Sequence, residues 1–167
     1  MFEFEYCPQC GTKMVMRYLK GEGEIPYCEK CKDFRFPVFS TAVSMIVMNE
    51  SKDKVLLIKQ YNKDSYILTA GYVNKGEDSE TTCARELMEE LHLHAKKIHY
   101  NKSHYFAPHN VLMLNYTVIV DEDEYPVPND EVDSWDWMSV DDARKKIYPG
   151  SLAQKFLEGY ITGKYEF

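Results

Sequence analysis

From Thr41 onward the apolar positions fall in short dense runs separated by polar turns. Residues 42–48 and 55–60 are aliphatic and rich in β-branched side chains, and the polar stretch 49–54 lies between them, which predicts a pair of strands. A third short strand is expected at 67–73, closing on Gly71. At 79–91 the spacing changes to the three-and-four period of a helix. Strands follow at 97–105 and 111–120, then an acidic, Pro-bearing loop at 121–130, a strand at 132–138, and helices at 140–146 and 151–162. Strands and helices alternate irregularly, so the pattern predicts an α/β fold in which a mixed sheet is sandwiched by helices, not a doubly wound one. No run approaches the roughly 18 apolar residues of a membrane span.

The first 35 residues follow neither period. They carry four of the five cysteines, as Cys7-Pro-Gln-Cys10 with Gly11 behind and Cys28-Glu-Lys-Cys31, two CxxC pairs separated by 17 residues. Two such knuckles complete a tetrahedral sulfur shell for one structural Zn²⁺. Redox pairs and disulfides are the competing readings; the first lacks a βαβ context here, and the second fits poorly with a reducing compartment. A ribbon of this size buries too little apolar surface to fold alone, so the metal would supply much of its folding free energy. Cys83, alone within the helical segment, reads as a small half-buried packing residue.

Charge narrows the function classes. With 20 Lys and Arg against 27 Asp and Glu in 167 residues, the net charge of −7 disfavours nonspecific nucleic-acid binding. Glu3 and Glu5 interrupt any apolar leader behind Met1, so a cytoplasmic protein with reduced thiols is expected.

The chemistry concentrates between Gly71 and Leu93. At 100° per residue, Glu86, Glu89 and Glu90 fall within roughly 100° of arc, with Ala84, Leu87, Met88 and Leu91 opposite. Three carboxylates on one face repel one another and call for a cation; without His or Cys beside them, Mg²⁺ or Mn²⁺ suits them best. Arg85, one turn before Glu89 and within reach of Glu77, would orient them. A solvated acidic face is the alternative.

The spacing Gly71, five residues, Glu77, seven residues, then Arg85-Glu86-Leu87-Met88-Glu89-Glu90-Leu91-His92-Leu93 resembles the Nudix box at every specified position but one, His92 standing where that box has Gly. The resemblance implies a Nudix-type sheet and helices in 37–167, preceded by a zinc ribbon in 1–36. It also implies Glu86, Glu89 and Glu90 as metal and base carboxylates, Arg85 and Glu77 as their orienting pair, and Gly71 as a backbone contact to metal. His92 would adopt a positive φ at the helix end. A cysteine ribbon ahead of this box is similar to the NADH pyrophosphatase branch of the family. Phe36-Pro37 follows the last ribbon cysteine, and Glu131, six residues before Trp137, matches a further catalytic or metal-binding Glu. Ser103, Phe106, Leu112 and Met113 keep the spacing of the branch's specificity segment, though its prolines have largely changed.

The resemblance implies Mg²⁺- or Mn²⁺-dependent hydrolysis of a small nucleotide diphosphate derivative, NAD(H)-like first, into two monophosphates, with Phe36, Tyr72 and Phe106 stacking on substrate rings, in a homodimer. Removal of an NAD-type cap from RNA and a noncatalytic ligand sensor are the other two classes. The complete set of carboxylates disfavours the sensor, and the acidic charge disfavours the RNA substrate.

Overall fold

The computed structural model describes residues 5–167, which divide into two compact units, one ending at Phe39 and the other spanning Ser40–Phe167. The first is a small antiparallel sheet of β1 (Val15–Leu19), β2 (Gly23–Cys28) and β3 (Asp33–Phe34) in the order β1-β2-β3. Most of its side chains stay exposed, among them Met16 and Tyr18, while Cys7 and Cys28 are buried.

The second unit is built on β4 (Ser40–Met48), β5 (Lys54–Gln60), β6 (Thr69–Tyr72), β7 (Ala95–Phe106), β8 (Val111–Val120) and β9 (Val132–Ser139), with α1 (Ser79–Leu91), α2 (Val140–Lys146) and α3 (Leu152–Thr162). Its six-stranded sheet runs β7-β8-β4-β5-β9, with β6 also paired to β4. One edge of β4 runs parallel to β8. The other edge is shared: β6 pairs with Ala42–Met45, and β5 takes over only at Val47 and Met48. The continuous apolar run of β4 has a direct cause. Val43, Met45 and Val47 enter a core with Leu87 and Leu91 of α1, while Ile46 and Met48 enter a second core with Phe156 and Leu157 of α3. A strand covered on both faces has no polar side to alternate with, so the mixed sheet sandwiched by helices is borne out.

Element ends differ modestly from the sequence pattern. β6 is confined to Thr69–Tyr72, Ile67 forming only an isolated bridge to Ile58, and β7 extends to Ala95 and Phe106 with two register shifts. Asp78 caps α1 by accepting from the Thr81 amide at 2.8 Å. His92 ends the helix at φ 53°, ψ 35°, the left-handed conformation that its place in the motif predicts. Cys83 is fully buried, not half-buried, and burial pushes its thiol up to about 12, which makes it inert. Among the described residues no helix is long and apolar enough to cross a membrane.

Candidate active site

The site forms where β6 meets α1. A Cβ on Gly71 would stand 1.9 Å from Glu86 Cδ, so glycine is what allows the strand and the carboxylate to approach. The loop between them is tied to the helix by Glu77, which accepts from Arg85 Nε at 2.7 Å and Nη2 at 3.0 Å, from the Asn74 amide at 3.1 Å and from Thr82 Oγ1 at 3.0 Å. These donors, Arg85 foremost, hold the Glu77 carboxyl down at about 2. Arg85 therefore does more than join Glu77 to Glu89. Its Nη1 also donates to Glu86 Oε1 at 2.8 Å and Glu89 Oε2 at 2.9 Å, and Nη2 to the Tyr72 carbonyl at 3.0 Å.

The three helix carboxylates are not equivalent, contrary to the helical-wheel expectation. Glu89 is exposed and Glu86 partly covered, but Glu90 retains only 4% of its surface, so the solvated-face reading fails for it. Its Oε1 accepts from Gln60 Nε2 at 2.9 Å, and its Oε2, fully buried, has no partner. Burial, with the neighbouring charges of Glu86, Glu131 and Glu89, pushes Glu90 up to about 7. Burial also raises Glu86. Conversely, Ala84 and Met88, expected on the covered face, are only partly buried.

The acidic loop is tied to the end of α1 at Glu90 and Leu91. The amide of Val127 donates to the Leu91 carbonyl at 2.8 Å and that of Asn129 to the Glu90 carbonyl at 3.0 Å. His92 Nδ1 lies 2.9 Å from the Val127 carbonyl, so the residue replacing glycine also holds this loop. Asn129 Oδ1 then accepts from the Glu131 amide at 2.9 Å.

The result is a cavity of about 470 Å³ lined by Gly71, Arg85, Glu86, Glu89, Glu90 and Glu131, within the usual range for small-molecule sites. Tyr72 and Phe106 also line it, with the apolar Val111 and Met113 between. Phe36 belongs to the N-terminal unit, where it is exposed. Gln60 and Tyr61, both on the cavity, were not foreseen. A polar residue in phase with Leu56 and Ile58 along the strand was the available signal for Gln60.

In the N-terminal unit the four sulfurs of Cys7, Cys10, Cys28 and Cys31 all lie within 4.8 Å of one another. The pairs Cys7–Cys31 at 3.9 Å and Cys10–Cys28 at 3.5 Å match the ~3.8 Å edge of a tetrahedron with metal–sulfur bonds near 2.3 Å. They are far longer than a disulfide, so all four thiols are free. The Cys31 amide donates to Cys28 Sγ at 3.4 Å and Arg35 Nε to Cys7 Sγ at 3.4 Å, the outer shell that steadies thiolate ligands. This cluster could hold a metal ion.

Residues 38–157 match the model of the NUDIX domain family. Curated relatives include an NAD-capped RNA hydrolase NudC of Vibrio parahaemolyticus, 24% identical over 94% of this chain and 59% of its own length. Another of that name, from Pseudomonas syringae pv. tomato, is 30% identical over 96% of this chain and 56% of its own length. The chain therefore spans less than two thirds of these relatives. Among solved structures, a NUDIX hydrolase from Nitrosomonas europaea superposes with a TM-score of 0.67 at 20% identity, covering 98% of this chain and 96% of that one. A C. elegans Ap4A hydrolase binary complex gives 0.60 at 16%, covering 74% and 96%. These two share the fold.

Proposed function

We propose that this chain, which belongs to the NUDIX domain family, is a metal-dependent pyrophosphohydrolase that cleaves the diphosphate linkage of an NAD(H)-like dinucleotide into two monophosphates. The observation that carries the reading is the buried, unpartnered Oε2 of Glu90 on a cavity shared with Glu86, Glu89 and Glu131. A desolvated carboxylate oxygen without a donor is a standing penalty that a cation removes. Four carboxylates beside a single imidazole, His109, suit a hard ion, Mg²⁺ or Mn²⁺, which Glu86, Glu89, Glu90 and Glu131 would hold with the Gly71 carbonyl. When bound, such ions neutralise the diphosphate and lower the pKa of water.

The chain's own residues do the rest. Arg85 fixes the rotamers of Glu86 and Glu89, and Glu77 anchors Arg85. Glu77 and Arg85 thus act as orienting residues. Glu89, ion-paired with Arg85 yet the most exposed of Glu86, Glu89 and Glu90, is assigned the proton of the attacking water. Tyr72 and Phe106, which line the cavity, would stack on the substrate's rings. A panel of NADH, nucleotide sugars and NAD-capped RNA, assayed with Mg²⁺ for monophosphate release, tests the assignment. Turnover of NADH supports it, and turnover of capped RNA alone moves it to cap removal, the second reading that the relatives' names favour. Turnover of neither overturns it.

Gly71→Ala is expected to lower turnover by at least tenfold, because the new methyl would displace Glu86 from Arg85 and from the strand. Steady-state assay beside a thermal melt checks it. A small loss of stability with a large loss of rate is the expected pattern.

We assign residues 1–36 to a zinc ribbon and 37–167 to the hydrolase domain. Elemental analysis of protein purified without added metal should give one zinc per chain, lost together in Cys28→Ser and Cys31→Ser. Near-zero zinc in the folded parental protein contradicts this. A homodimer belongs to the same reading, and light scattering at micromolar concentration should give twice the chain mass.

A further inference from the structure

We propose that the turn closing β5 is a positioning device for the site, with Tyr61 as the residue that holds Glu131. The turn spans residues 60–63, the Lys63 amide donating to the Gln60 carbonyl at 3.1 Å. Its two central residues are left-handed, Tyr61 at φ 57° and Asn62 at φ 55°. Positive φ at both positions is the pattern of a type I′ turn, which favours Gly, Asn and Asp. Asn62 suits it; a bulky aromatic does not, and strain of this kind persists where the surroundings impose it.

Packing does not account for Tyr61, a residue 62% exposed. Its hydroxyl donates to Glu131 Oε2 at 3.0 Å, and both residues line the cavity. The neighbours in the turn act in parallel. Gln60 donates to Glu90 at 2.9 Å, and the Asn62 amide donates to Asp133 Oδ2 at 2.6 Å. Asp133 is the residue that the β5–β9 ladder passes over, where the register shifts between Lys59 and Gln60, whose partners are Ser134 and Val132. Three consecutive residues thus each hold an acidic side chain, two of them on the cavity. A register shift and a strained turn meet at the point where Glu131, from the loop before β9, joins the helix carboxylates on the cavity.

Tyr61 is a positioning residue, and the proposal rests on the reading of Glu131 as a catalytic carboxylate. The experiment compares Tyr61→Phe, Glu131→Gln, the double variant and Tyr61→Gly, with kcat, KM and thermal melts on the full chain, NADH and Mg²⁺. Tyr61→Phe is expected to lower kcat by about tenfold, the size of one hydrogen bond to a charged group, with KM and melting temperature unchanged. The double variant should be no slower than Glu131→Gln alone. Tyr61→Gly should melt above the parental protein, because the strain is gone, while losing as much kcat as Tyr61→Phe. A parental kcat in Tyr61→Phe beside an impaired Glu131→Gln, or losses that multiply in the double variant, overturns the positioning role alone. A parental kcat in Glu131→Gln overturns the reading of Glu131, and the role of Tyr61 with it.

Discussion

Glu90→Gln is expected to lower kcat by roughly 10²-fold or more while making the metal-free protein more stable at neutral pH. The two effects have one cause. Glu90 is buried, with only Gln60 donating to one of its oxygens, so its charge is poorly solvated unless a cation is present. The sign follows from burial pushing its pKa up to about 7, above the ordinary 4.5. Below pH 4.5 the group is protonated in both folded and unfolded chains and contributes no pH dependence. As pH rises toward 7 the unfolded chain ionises first, and stability falls by up to about 3 kcal/mol before levelling off. Gln at this position keeps an oxygen for Gln60 and cannot ionise, so this fall disappears. Melting curves in chelator at pH 5 and pH 8, parental against variant, read the difference directly. A variant less stable than the parent at pH 8 would mean that Glu90 is a structural group.

Arg85→Ala is expected to remove most turnover, on the order of 10²-fold, and to lower the melting temperature by roughly 5–10 °C at neutral pH. One guanidinium serves Glu77, Glu86, Glu89 and the Tyr72 carbonyl. Without it, three carboxylates face one another and the loop before α1 loses its anchor. Arg85 holds Glu77 well below the usual carboxylate range, so this stabilisation is present above about pH 4.5 and is lost as pH falls toward 2. The destabilisation should therefore shrink on acidification. Arg85→Lys should recover only part of either effect, because an ammonium cannot reproduce the planar fork. Equal stability of Arg85→Lys and the parent would show that charge, not geometry, is what matters.

Much of the site was legible in the sequence because it is carried by fixed spacing within one loop and one helix. Gly71, Glu77, Arg85 and the three glutamates lie close in the chain, and the αL end at His92 follows from its place in the motif. What periodicity does not carry is contact between distant segments. A helical wheel treats Glu86, Glu89 and Glu90 alike, whereas Glu90 alone is buried, its side chain bonded to Gln60 at the end of β5 and its carbonyl to Asn129. The sharing of one edge of β4 by β5 and β6 is likewise invisible in either run alone, since each reads as a buried strand. Tyr61 was missed for a different reason. A left-handed tyrosine contradicts its own propensity, so only the fold reveals it.

The claim that the acidic face of α1 is a metal site is tested most directly by titrating Mn²⁺ into the parental protein and into Glu90→Gln, and reading the free-ion signal by electron paramagnetic resonance. The account predicts that the parental chain removes Mn²⁺ from solution and that the variant, equally folded, binds it at least tenfold more weakly. Superimposable titrations of the two proteins would contradict it.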